Sequence, residues 1–79
     1  MRKYNNKSNI SGKLIEKFRI KKNLSREELA EQLQLIGLNV ERGFIYKIET
    51  QNKLLKDFEL IAICKILGIT MEDLEKELN

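Results

Sequence analysis

Residues 24–33 of this 79-residue chain read LSREELAEQL and carry its clearest helix signal. Ser25 and Glu28 form the pattern of a capping box, in which each side chain bonds the backbone amide of the other residue. The apolar residues of one helix face follow at helical spacing: Leu29, Ala30 and Leu33. Because both the start and the buried face are marked, the segment predicts a helix over residues 25–36.

Apolar residues recur at helical spacing on both sides of this segment, with polar or glycine residues between the recurrences. The predicted helices span residues 11–22, 25–36, 41–50, 57–67 and 70–78. Ser11, Asp57 and Thr70 are candidate N-caps, and Gly68 is a candidate C-cap. No segment alternates convincingly as a strand, which favours an all-α bundle of five helices.

The fourth predicted helix is the most apolar stretch of the chain. Phe58 and Ile61 belong to this stretch, and Leu78 is expected to face inward from the fifth helix. Cys64 is expected to act as a small hydrophobic residue. Four apolar residues are available either for a dimer contact or for the core: Ile63, Ile69, Met71 and Leu78.

Charge is distributed unevenly along the chain. Residues 1–26 contain nine Lys or Arg and one acid, whereas residues 27–79 contain six Lys or Arg and eleven acids. A basic segment on a small domain indicates a polyanionic partner such as nucleic acid. Residues 1–9 are polar and without periodicity, and they predict a flexible basic N-terminal arm ahead of one domain at residues 10–79.

The composition excludes many catalytic chemistries. With no histidine and one cysteine, the chain cannot form a His-based triad, a His metal site, an intrachain disulfide or a zinc cluster. We expect no enzyme activity, no metal and no small-molecule cofactor. The longest apolar run is too short to span a bilayer and no signal-peptide pattern opens the chain, so we expect a cytoplasmic protein without a membrane partner.

Three segments carry a family pattern: LSREELAEQL (24–33), RGFIYKIE (42–49) and FELIAICKILGI (58–69). Together they resemble the helix-turn-helix domain of phage Cro and CI repressors, the XRE family, over about residues 10–78. One departure is a longer link after helix two, at residues 34–37, which is expected to extend that helix by about one turn. The resemblance implies a five-helix repressor-like bundle and a transcription regulator that binds double-stranded DNA sequence-dependently as a homodimer.

The resemblance also implies roles for particular residues, with the recognition helix at about residues 41–50 in the major groove. The expected base-edge contacts are Arg42, Gly43, Phe44 and Lys47. The expected phosphate contacts are Ser25, Arg26, Tyr46, Thr50, Gln51 and Lys53. Arg19 and Glu49 match a pair that in this family bridges helix one to the end of helix three, so both are expected to be structural.

A second interpretation keeps the fold and gives it a protein partner, as in an antitoxin or an anti-regulator, because fold alone does not fix function. Gly43 and Phe44 support it, since they leave the first turn of the recognition helix poor in hydrogen-bonding groups. DNA binding predicts that charge reversal at Arg26, Arg42 or Lys47 abolishes binding. Protein binding predicts that Phe44→Ala is the damaging change.

Overall fold

Five helices follow one another in the described part of the chain, residues 7–78 of a computed structural model. They are α1 (Gly12–Lys21), α2 (Arg26–Leu35), α3 (Arg42–Glu49), α4 (Asp57–Leu67) and α5 (Met71–Lys76). The all-α, five-helix class is confirmed, and each helix lies within its predicted range. Most predicted ranges are longer by one or two residues because they include the residues that cap the helix ends.

Side chains cap the helices that begin with a clear signal. Ser25 Oγ accepts a hydrogen bond from the Glu28 N–H at 3.0 Å, and Glu28 Oε1 accepts one from the Ser25 N–H at 2.8 Å, which confirms the capping box. At α5, Thr70 Oγ1 accepts a hydrogen bond from the Asp73 N–H at 3.1 Å. Gly68 ends α4 in the left-handed conformation, with φ 75°, as predicted.

Two predicted N-caps are wrong. Ser11 precedes α1, but its side chain makes no capping hydrogen bond. Asn9 Oδ1 takes that place by accepting a hydrogen bond from the Gly12 N–H at 2.7 Å. Asp57 is the first residue of α4, and the cap position belongs to the residue before it.

The buried apolar side chains come from α1 to α4 and from the segments around them. They are Leu14, Ile15, Leu29, Ala30, Leu33, Val40, Ile45, Ile48, Ile63, Leu67 and Ile69. α3 packs against α2 and α1, and α4 packs against the same two helices. Within the described residues, no helix has the length and apolar character needed to cross a membrane.

α4 leaves part of its apolar surface exposed. Phe58 and Ile61 are 55% and 58% exposed. The buried stripe runs instead through Glu59, Ile63 and Leu67, which are spaced four residues apart. Because α4 is apolar on most sides, its sequence does not reveal which side packs inward.

The other apolar residues near the C-terminus divide between core and surface. Ile69 is buried together with Ile63, so these two fill the core. Met71 and Leu78 are more than half exposed. The expectation that Leu78 faces inward is therefore wrong, since α5 ends at Lys76 before a further turn could carry it inward.

The segment before α1 is tied to the end of α3. Residues 1–6 of the predicted arm lie outside the described residues. The Ser8 N–H donates to the Gln51 carbonyl oxygen at 2.9 Å, and Asn9 Nδ2 donates to the Ile48 carbonyl oxygen at 3.1 Å. These bonds satisfy carbonyls at the end of α3 and make Ser8 and Asn9 part of the domain rather than of a free arm.

Candidate nucleic-acid interface

α3 has one buried face and one exposed face. Ile45, Ile48 and Glu49 are buried, and they fix the rotation of the helix against α2 and α1. The residues that form the opposite, exposed face are Arg42, Gly43, Tyr46, Lys47 and Thr50. We call this set the α3 outer face. All five of its members are predicted DNA contacts, so the structure brings half of the predicted set onto one surface.

An open cleft lies between the first turn of α3 and α2. The residues predicted to reach base edges all line it: Arg42, Gly43, Phe44 and Lys47. Lys53 joins them from the loop after α3, while α2 contributes Glu27 and Glu31. The cations that line the cleft therefore lie on its α3 side, together with the Glu41 carboxylate, and the charged groups from α2 are both carboxylates.

Phe44 is only partly available to a ligand. Its ring is half-buried and packs against the core cluster. Lys53 Nζ lies 5.9 Å from the centroid of the same ring, which is within range of a cation–π contact. This placement removes much of the support that Phe44 gave to a protein partner, because most of the ring already serves packing.

Glu49, at the end of α3, holds two arginine side chains. Arg19 donates from Nε to Glu49 Oε2 at 2.6 Å and from Nη2 to Oε1 at 3.1 Å. Arg26 donates from Nε to Glu49 Oε1 at 2.9 Å. The Glu49 side chain is 1% exposed, so a single buried carboxylate joins α1, α2 and α3. The structure thus places the predicted Arg19–Glu49 pair in direct contact and adds Arg26 to it.

Arg26 is a predicted phosphate contact that also has partners within the protein. Its Nη2 lies 3.3 Å from Glu16 Oε2, and its guanidinium lies 5.2 Å from the centroid of the Tyr46 ring. About a third of the side chain is exposed. Arg26 therefore borders the α3 outer face with its Nε bound to Glu49 and its terminal nitrogens near the surface.

Three other predicted phosphate contacts already make hydrogen bonds. Ser25 Oγ accepts the capping bond of α2 and keeps its own hydrogen for a ligand, whereas Thr50 Oγ1 donates its hydrogen to the Tyr46 carbonyl oxygen at 2.9 Å. Gln51 is buried, and its Nε2 donates to the Asn9 carbonyl oxygen at 3.1 Å. This burial and the bond to Asn9 contradict a phosphate contact by the Gln51 side chain.

A family model described as helix-turn-helix matches residues 15–74, from α1 into α5. The chain belongs to the Cro/CI-type, or XRE, helix-turn-helix family. It is a DNA-binding domain of a regulatory family, not of an enzyme family, and DNA is its partner. No curated protein and no solved structure shows a significant match to the chain.

In this XRE domain, α2 and α3 form the helix-turn-helix pair. The longer link predicted at residues 34–37 is partly helix and partly turn. Gln34 and Leu35 belong to α2, whereas Ile36 and Gly37 form the turn, with Gly37 at φ 96°. The extension of α2 is therefore shorter than the full turn expected, and the remainder of the link carries the chain toward α3.

The XRE domain also contains supporting residues that the sequence analysis missed. Asn9 Nδ2 reaches the Lys53 carbonyl oxygen at 2.8 Å and so ties down the loop after α3. A Cβ atom at Gly12 would overlap the Ile48 carbonyl oxygen, so only glycine permits this approach of α1 to α3. Glu16 pairs with Arg26. Of these residues, only Asn9 has a local signal in the sequence. It lies three residues before Gly12, which is a common capping arrangement.

Proposed function

We propose that this domain is a sequence-dependent, repressor-like transcription regulator that inserts α3 into the major groove of double-stranded DNA. The observation that carries the proposal is the α3 outer face, on which exposed Arg42, Tyr46 and Lys47 stand opposite a fully packed face. The major groove admits one helix and presents a distinct donor and acceptor pattern for each base pair. An anchored helix with exposed cationic side chains suits that groove.

Each side chain of this surface has a role that follows from its chemistry. Arg42, in the first turn, donates two hydrogen bonds to guanine O6 and N7. Lys47, one turn later, binds a base edge or a phosphate, and Tyr46 donates its hydroxyl hydrogen to a phosphate. Ser25 and Lys53 add phosphate contacts on either side. Gln51 is not part of this set because it is buried.

We further propose that the domain binds DNA as a homodimer through α4. Phe58 and Ile61 form an exposed apolar face on that helix, flanked by exposed Asp57 and Lys65. Ile61 lies midway between the two charged residues. In a two-fold antiparallel pairing of α4 helices about Ile61, each Asp57 therefore meets the Lys65 of the second copy. Ile61→Glu should shift sedimentation equilibrium to monomer, whereas Leu35→Glu, at another exposed apolar site, should leave the oligomeric state unchanged.

Selection from a random duplex library tests the proposed recognition, followed by binding titrations on the enriched sequence. Arg42→Ala should weaken binding about 5- to 150-fold and relax the preference at one base pair. Lys76→Ala, on α5, is the matched loss of an exposed cation and should change affinity less than twofold. Enrichment of a near-palindrome supports a dimeric reader. No enrichment and no binding at low salt, with Phe44→Ala disrupting a captured protein complex, would refute the proposal.

A further inference from the structure

We propose that Glu16 sets the DNA affinity of this domain by competing with a DNA phosphate for Arg26. The inference rests on the proposed function, because it concerns the same DNA surface. Arg26 follows the Ser25 cap at the start of α2, where an approaching phosphate would meet it. The side chain that now faces its terminal nitrogen is a carboxylate from α1.

The contacts of Arg26 fall into two kinds. Glu49 accepts from Nε at 2.9 Å and is buried, and the Tyr46 ring supports the guanidinium plane. These two contacts hold the guanidinium in place. The contact to Glu16 is longer, 3.3 Å, and joins side chains that are 32% and 41% exposed. Only this contact lies where solvent and a ligand can exchange it.

The charges of Arg19, Arg26 and Glu49 explain why an anion is favoured next to Arg26. Arg19 and Arg26 carry two positive charges, and the buried Glu49 carboxylate neutralises one. Glu16 supplies the second negative charge in the free protein. A DNA phosphate, like a carboxylate, accepts a charge-assisted hydrogen bond from a guanidinium. Phosphate and Glu16 therefore exchange on a guanidinium whose orientation Glu49 and Tyr46 maintain.

Glu16→Gln tests the exchange, because it removes the competing charge and keeps the shape of the side chain. An exposed ion pair contributes up to about 1 kcal/mol, so we expect DNA binding to tighten by about two- to fivefold. Glu27→Gln is the matched control, since it removes one exposed carboxylate from the first turn of α2, next to Arg26 in the sequence, without an ion pair to Arg26. Thermal unfolding of each variant checks that the fold is retained.

The decisive measurement repeats both substitutions in an Arg26→Gln background. The gain from Glu16→Gln should disappear there, whereas any gain from Glu27→Gln should persist. If Glu16→Gln raises DNA affinity equally in both backgrounds, Glu16 only adds negative charge near DNA. If it raises affinity in neither, Glu16 does not compete with phosphate. Each result overturns the inference. If wild type and every variant fail to bind duplex DNA at low salt, the proposed function itself fails.

Discussion

Replacing Glu49 with Gln removes the charge that joins two arginines beneath the recognition helix. Glutamine keeps one acceptor oxygen but turns an amide group toward a guanidinium that can only donate. The three hydrogen bonds that now end on the carboxylate, at 2.6, 2.9 and 3.1 Å, cannot all be kept. Arg19 is left as the main unpaired charge, because its side chain is only 9% exposed.

The size of the loss follows from burial. Removing one partner of a buried ion pair costs about 3 to 5 kcal/mol. Arg19 Nη1 still donates to the Leu24 carbonyl oxygen at 2.7 Å, and Arg26 still contacts Glu16 near the surface, so the lower end applies. We expect Glu49→Gln to lower the free energy of unfolding by about 3 kcal/mol. The total free energy of unfolding of a 79-residue domain is only about 4 to 12 kcal/mol.

Urea denaturation followed by far-UV circular dichroism measures this loss. The midpoint should fall while the slope of free energy against urea stays constant, since the surface exposed on unfolding is unchanged. Glu31→Gln, on the exposed side of α2, is the matched substitution and should stay within about 0.5 kcal/mol of wild type. A loss below about 1 kcal/mol for Glu49→Gln would show that the pair behaves like an exposed one and refute the reasoning.

Three further outcomes follow from other sites. Gly12→Ala should lower the free energy of unfolding by about 2 to 3 kcal/mol, because its Cβ would overlap a carbonyl oxygen of α3. In the same urea titration, Gly43→Ala should raise the free energy of unfolding by up to about 1 kcal/mol, because its Cβ meets open space. Hydrogen bonds from the Thr70 backbone and then its hydroxyl lower the pKa of Asp73, so the stability that this carboxylate adds is present above about pH 4 and is lost as pH falls through its folded-state value. In acid titrations the gap between wild type and Asp73→Asn should therefore close below that pH; a constant gap would contradict this. Burial, and secondarily Asp73, raises the pKa of the Cys64 thiol, so iodoacetamide should alkylate it more slowly in the folded than in the urea-unfolded chain, and equal rates would contradict the burial.

Local sequence signals account for most of the helices. The capping box at Ser25 and the left-handed glycine at Gly68 act within a few residues of their helix ends, so the chain near them contains the whole signal. The orientation of α4 is different. It depends on which neighbours cover the helix, and an apolar helix offers no polar stripe that distinguishes Phe58 from Ile63.

The candidate DNA interface likewise has one part that local sequence predicts and another that depends on tertiary contacts. The α3 outer face follows from helical periodicity alone, because buried Ile45 and Ile48 determine which residues point away. Gln51 was assigned to this surface by its position after the helix, yet it bonds Asn9, which is 42 residues away in the chain. Contacts between different segments, including the one between Glu16 on α1 and Arg26 on α2, arise only when the helices pack.

The position of the recognition helix depends more on tertiary contacts than on its own sequence. α3 has eight residues, a glycine in its first turn and no side-chain cap at Glu41, so it is weak as an isolated helix. Its buried residues, Ile45, Ile48 and Glu49, all follow its first three residues. Arg42 therefore depends for its position on the packed residues that follow it in α3. A change to Glu49 consequently acts on recognition as well as on stability, because Glu49 both anchors α3 and holds Arg26.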